Sequence, residues 1–194
     1  MRLGIMLPNW IGDLAMATPA LRALRKHLPN AELVGLVRPY AAVVLKGTTW
    51  LDRLIPWEHR GWRSVPGNFG TAWRAGRQRY DAFLLMRRSY TAAMVARASG
   101  ATKIVGYERF GRNWLLSDVL PLPRSNGKLV PVSAVDFYLN LAYEFGCPTE
   151  SRHLELCTTP QEEAAADLIW EELHLPQGQP VMMRTANGDA QGWR

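Results

Sequence analysis

Short apolar runs alternate with helical patterns along most of the chain, and this alternation restricts the folds that the sequence can adopt. The first run, residues 3–7, is continuously apolar and is followed by Pro8, which is typical of a strand buried on both faces of a parallel sheet. The alternation favours an α/β fold built on a Rossmann-like, doubly wound and mostly parallel sheet. Further strands are predicted at residues 31–37, 51–55, 81–86, 103–106 and 180–183.

Helical spacing of apolar residues fills most of the intervals between these strands. Pro19 lies inside the first helical pattern, so this helix either kinks there or restarts with Thr18 as its N-cap. Residues 57–70 are rich in Gly, Pro, Trp and Arg and predict a long loop, in which Trp57 and Trp62 either dip into a membrane interface or anchor the loop by packing. Helices are predicted at residues 14–28, 39–46, 71–79, 90–99, 133–145 and 161–173.

The size and composition of the chain exclude several classes of protein. With 194 residues, of which 47% are hydrophobic, the chain can bury a core without a disulfide or a metal. No run in the sequence reaches the roughly 18 apolar residues of a membrane span. Cys147 and Cys157 lack CxxC spacing, which indicates free, buried thiols in a reducing cytoplasm.

Positive charge is concentrated in the middle of the chain. The whole sequence has a net charge of +6, and residues 53–113 carry 12 basic and 3 acidic side chains. Arginine binds phosphate and carboxylate groups bidentately, so this basic block indicates an anionic partner. For any single arginine, a solvated position that only aids solubility is the alternative. The block contains Arg53, Arg60, Arg63, Arg74, Arg77, Arg79, Arg87, Arg88, Arg97, Lys103, Arg109 and Arg112.

The turn after the first strand reads Pro8-Asn9-Trp10-Ile11-Gly12-Asp13. In open α/β sheets, ligands bind outside the carboxyl ends of the strands, where helix N-termini offer free N–H groups. The sequence contains neither a GxGxxG dinucleotide fingerprint nor a GxxxxGK[ST] phosphate loop, which argues against common NAD enzymes and P-loop NTPases. Position alone favours Asp13 as a cap of the following helix, and a general base is the alternative.

This turn opens a longer pattern that continues along the chain. The turn is followed by Leu14 and by Thr18-Pro19-Ala20-Leu21-Arg22-Ala23-Leu24-Arg25. Later segments come in the expected order: Tyr80-Asp81-Ala82-Phe83-Leu84-Leu85 with Ser89-Tyr90, Gly106-Tyr107-Glu108-Arg109 with Trp114-Leu115-Leu116-Ser117-Asp118, and the helix at residues 138–146. Over residues 1–183 the sequence resembles the ADP-heptose:lipopolysaccharide heptosyltransferases, most of all their heptosyltransferase II branch.

The resemblance implies the amino-terminal domain of a two-domain GT-B glycosyltransferase that inverts configuration at the transferred sugar without a metal or other cofactor. Residues 1–178 would bind the lipopolysaccharide acceptor, and residues 179–194 would begin the domain that binds the donor, ADP-heptose. The acceptor is the inner core, with Kdo, heptose and lipid A, and its carboxylates and phosphates suit the basic block. Such an enzyme is expected in the cytoplasm, in peripheral contact with the inner face of the inner membrane.

The resemblance also assigns roles to individual residues. Asp13 matches the family's general base, which deprotonates an acceptor hydroxyl as ADP departs. No metal ligand is implied. The matching segments place acceptor binding at Asn9, Trp10, Gly12, Arg88, Ser89, Arg109 and Arg112.

The sequence departs from the family pattern in two places. Arg87-Arg88 stands where Pro-Asn usually precedes the serine, which indicates more electrostatic acceptor contacts. After residue 183 only a weak echo remains of an Asn-Pro-Gly-Ala-type phosphate loop that ends in Lys-Arg-Trp. We therefore expect a truncated acceptor half that is inactive alone.

Two other functions are compatible with the sequence. The pI near 9.7 and the basic block allow a nucleic-acid-binding module, although no RRM, KH, helix-turn-helix or zinc signature supports it. The net charge of −6 over residues 114–194 also argues against a wholly basic surface. A stand-alone anion-binding module without catalysis is the other alternative.

Overall fold

A parallel sheet forms the centre of the molecule. The computed structural model describes residues 1–57 and 79–176. Within these residues the strand order is β3-β2-β1-β4-β5-β6, and every neighbouring pair in this sheet is parallel. The expected Rossmann-like doubly wound fold is confirmed. The strands are β1 (Arg2–Met6), β2 (Glu32–Val37), β3 (Arg53–Pro56), β4 (Ala82–Leu85), β5 (Lys103–Tyr107) and β6 (Asp118–Leu120).

The described helices lie close to the positions that apolar spacing predicts. They are α1 (Ile11–Met16), α2 (Thr18–His27), α3 (Pro39–Ala42), α4 (Tyr90–Ala98), α5 (Ala134–Glu144) and α6 (Pro160–Glu172). A turn of 3₁₀ helix, Val43–Leu45, extends α3, and another, Asn113–Leu115, precedes β6. Gly146 follows α5 with a φ of +86°, the left-handed conformation that glycine adopts without strain after a helix.

The first helical segment is interrupted, as the position of Pro19 predicts. α1 ends at Met16 and α2 begins at Thr18, so the helix restarts rather than kinks. Because Pro19 has no N–H to donate to the carbonyl of Ala15, that oxygen needs another donor. The Thr18 hydroxyl donates to it over 2.8 Å. The expected N-cap was wrong: Ala17 caps α2, and Thr18 is its first residue.

Two apolar clusters cover the two faces of the sheet. Successive strand residues point to opposite faces, so Leu3 and Ile5 of β1 pack with α1, α2 and α5, while Met6 packs with α4 on the other face. Gly4 lies level with Phe83 on the neighbouring strand, and a Cβ at Gly4 would come within 2.3 Å of the Phe83 ring. The missing side chain thus makes room for a buried aromatic ring.

Two elements were missed by the sequence analysis. β6 is an edge strand of three residues in which Val119 is exposed, so it carries no apolar periodicity. The hairpin of β7 (Arg124–Ser125) and β8 (Lys128–Leu129) turns at Asn126 and Gly127, which have φ values of +50° and +77°. An Asn-Gly pair is a recognised signal for such a turn, so the sequence did contain the information.

Some sequence predictions lie outside the described residues. These are most of the loop at 57–70, the helix at 71–79 apart from its last residue, the strand at 180–183 and the domain boundary at 178. Trp57 itself is described and is buried, so it anchors the chain by packing rather than lying free for a membrane.

The chain divides into two compact units, residues 1–157 and 158–194, and α6 begins the second with a capping box of Thr159 and Glu162.

Two further expectations concern the cysteines and membrane spans. Both cysteines are free, but only Cys147 is buried; Cys157 is exposed, so its expected burial was wrong. Burial raises the pKa of the Cys147 thiol to about 11. None of the helices in the described parts of the chain is long and apolar enough to cross a membrane.

The packing of Gly4 against Phe83 predicts the effect of a single methyl group. We expect Gly4→Ala to lower the free energy of unfolding by about 1–3 kcal/mol, the usual cost of overpacking a core. Urea unfolding measures the change. Gly12→Ala is the matched control, because Gly12 is helical and a Cβ added there would have no neighbour within 4 Å. This variant should keep or gain stability. Equal stability of the Gly4→Ala protein and the wild type would contradict this account.

Candidate functional site

The strand order reverses between β1 and β4, and the candidate site lies at this point. From β1 the chain passes to β2 and β3 on one side, and β4 returns to the other side of β1. The loops that leave neighbouring strands in opposite directions open a crevice at the carboxyl edge, where doubly wound folds bind ligands. Residues 7–10 follow β1 and residues 86–89 follow β4 at this crevice, and residues 108–112 follow β5 beside them.

Asp13 lies in the first turn of α1, directly after the β1 loop. The N-cap of α1 is Trp10, whose side chain makes no capping hydrogen bond, so Asp13 is not the cap that its position suggested. Its carboxylate is half-buried and makes no hydrogen bond or ion pair with another described residue. A carboxylate in this position can accept a proton from a hydroxyl held within hydrogen-bond reach.

Tyr138 of α5 is a neighbour of Asp13 that the sequence analysis missed. The side chain is buried, and its burial, together with the negative charge of Asp13, raises the pKa of Tyr138 well above the usual range of a phenol. The phenol is therefore neutral near pH 7. No local motif marks this residue, because a tyrosine on an apolar helix face looks like an ordinary core residue.

The other predicted residues of the β1 loop are more accessible. Asn9 is half-buried, and its backbone carbonyl accepts a hydrogen bond of 2.5 Å from the Tyr40 hydroxyl of α3. Trp10 is 71% exposed. Gly12 has open space around its α-carbon, so a ligand can approach the backbone there. The loop is thus held by a neighbouring element while its ring and its glycine face outward.

Ser89 and Arg88 belong to the loop after β4. Ser89 is the N-cap of α4, and its hydroxyl oxygen accepts a 3.2 Å hydrogen bond from the backbone N–H of Ala92. Arg88 is exposed, and its carbonyl accepts a 2.6 Å hydrogen bond from the Arg109 guanidinium. Arg109 is also exposed. This hydrogen bond therefore connects the Arg109 side chain of the β5 loop to the backbone of the β4 loop.

Arg112 is completely buried, which the sequence analysis did not anticipate. Its guanidinium donates hydrogen bonds to the carbonyls of Arg87 at 2.9 Å and Ser89 at 3.1 Å in the β4 loop. It donates a third, of 2.9 Å, to the carbonyl of Tyr107 at the end of β5. The side chain exposes no surface to an acceptor, so we replace the expected direct contact with a positioning role: Arg112 ties the two loops together.

The surroundings of Arg112 are unusual for a cation. Burial, with the positive charges of Arg109 and Arg88, lowers the pKa of Arg112 to about 10. A Cβ at Gly106 would lie 2.9 Å from an Arg112 nitrogen, so this glycine makes room for the guanidinium. Arg112 still carries its charge at neutral pH, and the three carbonyls compensate for part of its lost hydration, while its buried Nε has no hydrogen-bond partner among the described residues.

Parts of the basic block serve the fold rather than the site. Arg53 forms an ion pair with Glu32, with a nitrogen–oxygen distance of 3.6 Å. Lys103 lies over the Phe145 ring, 4.8 Å from its centroid. Among residues 1–57 and 79–176, no group of three His, Cys, Asp or Glu side chains is placed to hold a metal ion.

Comparisons with known proteins find similarity to glycosyltransferases. No protein-family model matches the chain. Lipopolysaccharide heptosyltransferase 2 of Escherichia coli K12 is 23% identical over 92% of this chain and 48% of its own length. The same enzyme from Salmonella typhimurium is 22% identical over 94% of this chain and 49% of its own length. The chain is similar to the heptosyltransferases. It spans about half the length of these curated relatives.

Solved structures agree with the similarity to heptosyltransferases. A family 9 glycosyl transferase from Veillonella parvula has a TM-score of 0.78 and 19% identity, with 91% of this chain and 50% of that one covered. E. coli ADP-heptose lps heptosyltransferase II has a TM-score of 0.70 and 20% identity, with 93% and 53% covered. The chain therefore has the fold of one half of a GT-B heptosyltransferase, as expected.

The position of Arg112 predicts that its loss destabilises the loops of this candidate site. Hydrogen bonds from charged groups contribute about 1.5–3 kcal/mol each. Because three buried carbonyls lose such a donor, we expect Arg112→Ala to lower the free energy of unfolding by about 3 kcal/mol or more. Urea unfolding tests this, with the exposed Arg109→Ala as control and a change of less than about 1 kcal/mol expected there. Equal stability of the two variants would remove the positioning role.

Proposed function

We propose that the chain is the acceptor-binding half of a heptosyltransferase that transfers heptose from ADP-heptose to the inner core of lipopolysaccharide. The observation that carries the proposal is the half-buried Asp13 carboxylate, which lies at the strand-order reversal without a hydrogen-bond partner among the described residues. A structural carboxylate in a half-buried position normally has such a partner. A carboxylate that lacks one is suited to accept a proton from a ligand.

In this mechanism Asp13 takes the proton of an acceptor hydroxyl while the hydroxyl oxygen attacks the anomeric carbon of the heptose. The new carbon–oxygen bond forms on the face opposite the departing ADP, so the configuration at that carbon inverts. The bond to the ADP phosphate breaks, and its electron pair leaves with ADP. The step needs no metal or other cofactor from this half of the protein.

Arg88 and Arg109 are proposed to bind the acidic groups of the acceptor. Both side chains are exposed, and the Arg109 guanidinium donates a hydrogen bond to the backbone carbonyl of Arg88. Arg112 holds the backbone on which they stand. Asn9, Trp10 and Gly12 contribute the opposite wall of the crevice. Ser89 fixes the start of α4 and is proposed to contact the acceptor beside Arg88. The acceptor carries Kdo carboxylates and phosphates, so its charge complements this surface.

The same surface supports a proposal about location. Phe110 is fully exposed and Trp114 is 72% exposed, beside the cationic Arg109. Aromatic side chains next to arginines favour the boundary between an anionic lipid surface and water. We place the protein in the cytoplasm, in peripheral contact with the inner face of the inner membrane, where a lipid A-linked acceptor is available.

The nucleic-acid alternative is not supported by a specific feature of the described residues. Arg112 is buried and is not available to a phosphate backbone, and the charge of Arg53 is partly neutralised by its ion pair with Glu32. A continuous basic surface would be needed for the steep salt dependence of such binding.

The role of Asp13 predicts the kinetics of Asp13→Asn in a protein that joins this chain to a nucleotide-sugar-binding half. Asparagine cannot accept the proton, so turnover should fall by roughly 10²–10⁴-fold, the usual contribution of a general base. The affinities for acceptor and donor should change little, because the loss lies in the transition state. The melting temperature should change little, because Trp10 rather than Asp13 caps the helix. Normal turnover in a folded variant would end this assignment.

Acceptor binding can be measured on the 194-residue chain itself, which we expect to bind core oligosaccharide without transferring sugar. Arg88→Ala or Arg109→Ala should weaken binding by about 1–3 kcal/mol in calorimetry, the range for charge-assisted hydrogen bonds. Arg97→Ala is the matched control, since Arg97 is exposed in the last turn of α4, away from the crevice. Equal affinities for all three variants and the wild type would show that the exposed arginines do not bind the acceptor.

A further inference from the structure

Two arginines outside the predicted acceptor set lie level with each other at the carboxyl edge. Met6 of β1 is in register with Leu36 of β2 and with Leu85 of β4. The pairing continues one residue further, with hydrogen bonds from Leu7 N to Leu36 O at 3.0 Å and from Met86 N to Met6 O at 3.1 Å. The next residues along β2 and β4 are Arg38 and Arg87. They therefore flank Pro8, one on each side of β1.

The two guanidinium groups have no acidic partner in the described parts of the chain. Arg38 and Arg87 are both half-buried, and neither forms an ion pair with a described carboxylate. Burial, and then the positive charge of Arg38, lowers the pKa of Arg87. The Nε of Arg38 is buried without a hydrogen-bond partner. Two positive charges that lie near each other in a partly desolvated site are energetically unfavourable unless an anion compensates them.

Tyr40 and Trp57 are neighbours of these arginines, and Trp57 carries a further unpaired donor. The Tyr40 hydroxyl is occupied by its hydrogen bond to the carbonyl of Asn9. Trp57 lies beside Arg38, because its backbone N–H donates to the carbonyl of Val37 over 2.7 Å. The indole N–H of Trp57 is buried and has no hydrogen-bond partner among the described residues. Unpaired buried donors are rare in folded proteins and call for an explanation.

We propose that Arg38 and Arg87 form a binding site for a phosphate group. A phosphate has enough oxygens to accept paired hydrogen bonds from two guanidinium groups at once, whereas a single carboxylate offers one such pair of oxygens. Arg87 is also one of the two positions that depart from the Pro-Asn of the family pattern, so the site distinguishes this chain. That the phosphate belongs to a sugar acceptor rests on the proposed function, whereas binding of phosphate itself does not.

Thermal unfolding of the full chain in inorganic phosphate tests the site, with chloride at equal ionic strength as reference. Phosphate should raise the melting temperature of the wild type in a saturable way, because a ligand that binds only the folded state stabilises it. Arg38→Gln and Arg87→Gln should each bind phosphate at least tenfold more weakly. Without phosphate neither variant should melt below the wild type, because each substitution relieves repulsion. The exposed Arg97→Gln is the control and should respond as the wild type does.

Several results would overturn the proposal. One is an equal response to phosphate in all three variants, and another is no response in the wild type. Variants that are destabilised without phosphate but retain their phosphate affinity would show a structural role only. If the variants do not fold, the Nε–H signal of Arg38 in nuclear magnetic resonance spectra of the wild type decides. This signal should shift saturably as phosphate is added, and an unchanged signal contradicts the site.

A second arm identifies the source of the phosphate. Core oligosaccharide with and without its phosphates is titrated into the wild type and into Arg87→Gln. A tenfold preference of the wild type for the phosphorylated form that disappears in Arg87→Gln assigns the site to the acceptor. If the wild type binds the two forms of the oligosaccharide with equal affinity, the site is one for free phosphate. If the wild type binds neither oligosaccharide but retains its response to inorganic phosphate, the proposed function fails while the phosphate site stands.

Discussion

Strand β1 pairs in parallel with β2 on one side and β4 on the other, and the candidate site depends on this central position. Because β4 returns next to β1, the loops that leave these two strands diverge and leave a crevice between them. Gly4 permits the close pairing by leaving space for the Phe83 ring. Asp13 follows β1 and Arg88 follows β4, so the reversal of strand order brings an acidic group and cationic groups to the same edge.

The loops at this edge are held by buried polar contacts. Arg112 joins the β4 and β5 loops through three backbone carbonyls, and Tyr40 joins α3 to the β1 loop. These contacts fix the backbone while leaving Arg88, Arg109 and Trp10 exposed to a ligand. A crevice with a fixed backbone and charged rims suits a ligand that is itself highly charged, because little conformational freedom is lost on binding.

Periodic features of the sequence predicted most of the fold, because strand and helix positions depend on apolar spacing. β1, the break at Pro19 and the helix after Ser133 follow from that spacing, and the turn at Asp13 follows from its place after the first strand. Features that depend on tertiary contacts were not predictable. Arg112 is an arginine in a loop and looks exposed in sequence, yet three carbonyls and Gly106 accommodate it inside the protein. The proximity of Tyr138 to Asp13, and of Arg38 to Arg87, joins residues that are far apart in the sequence.

The central claim is that the acceptor binds at the crevice between β1 and β4. Amide chemical-shift mapping of the chain during titration with core oligosaccharide tests it most directly, because every described element reports at once. The account predicts saturable shifts in residues 7–14, 86–90 and 107–113, with unchanged signals at the opposite, amino edge of the sheet, as at Ala31, Asp81 and Thr102. Shifts confined to the amino edge, or no shifts at saturating oligosaccharide, would contradict it.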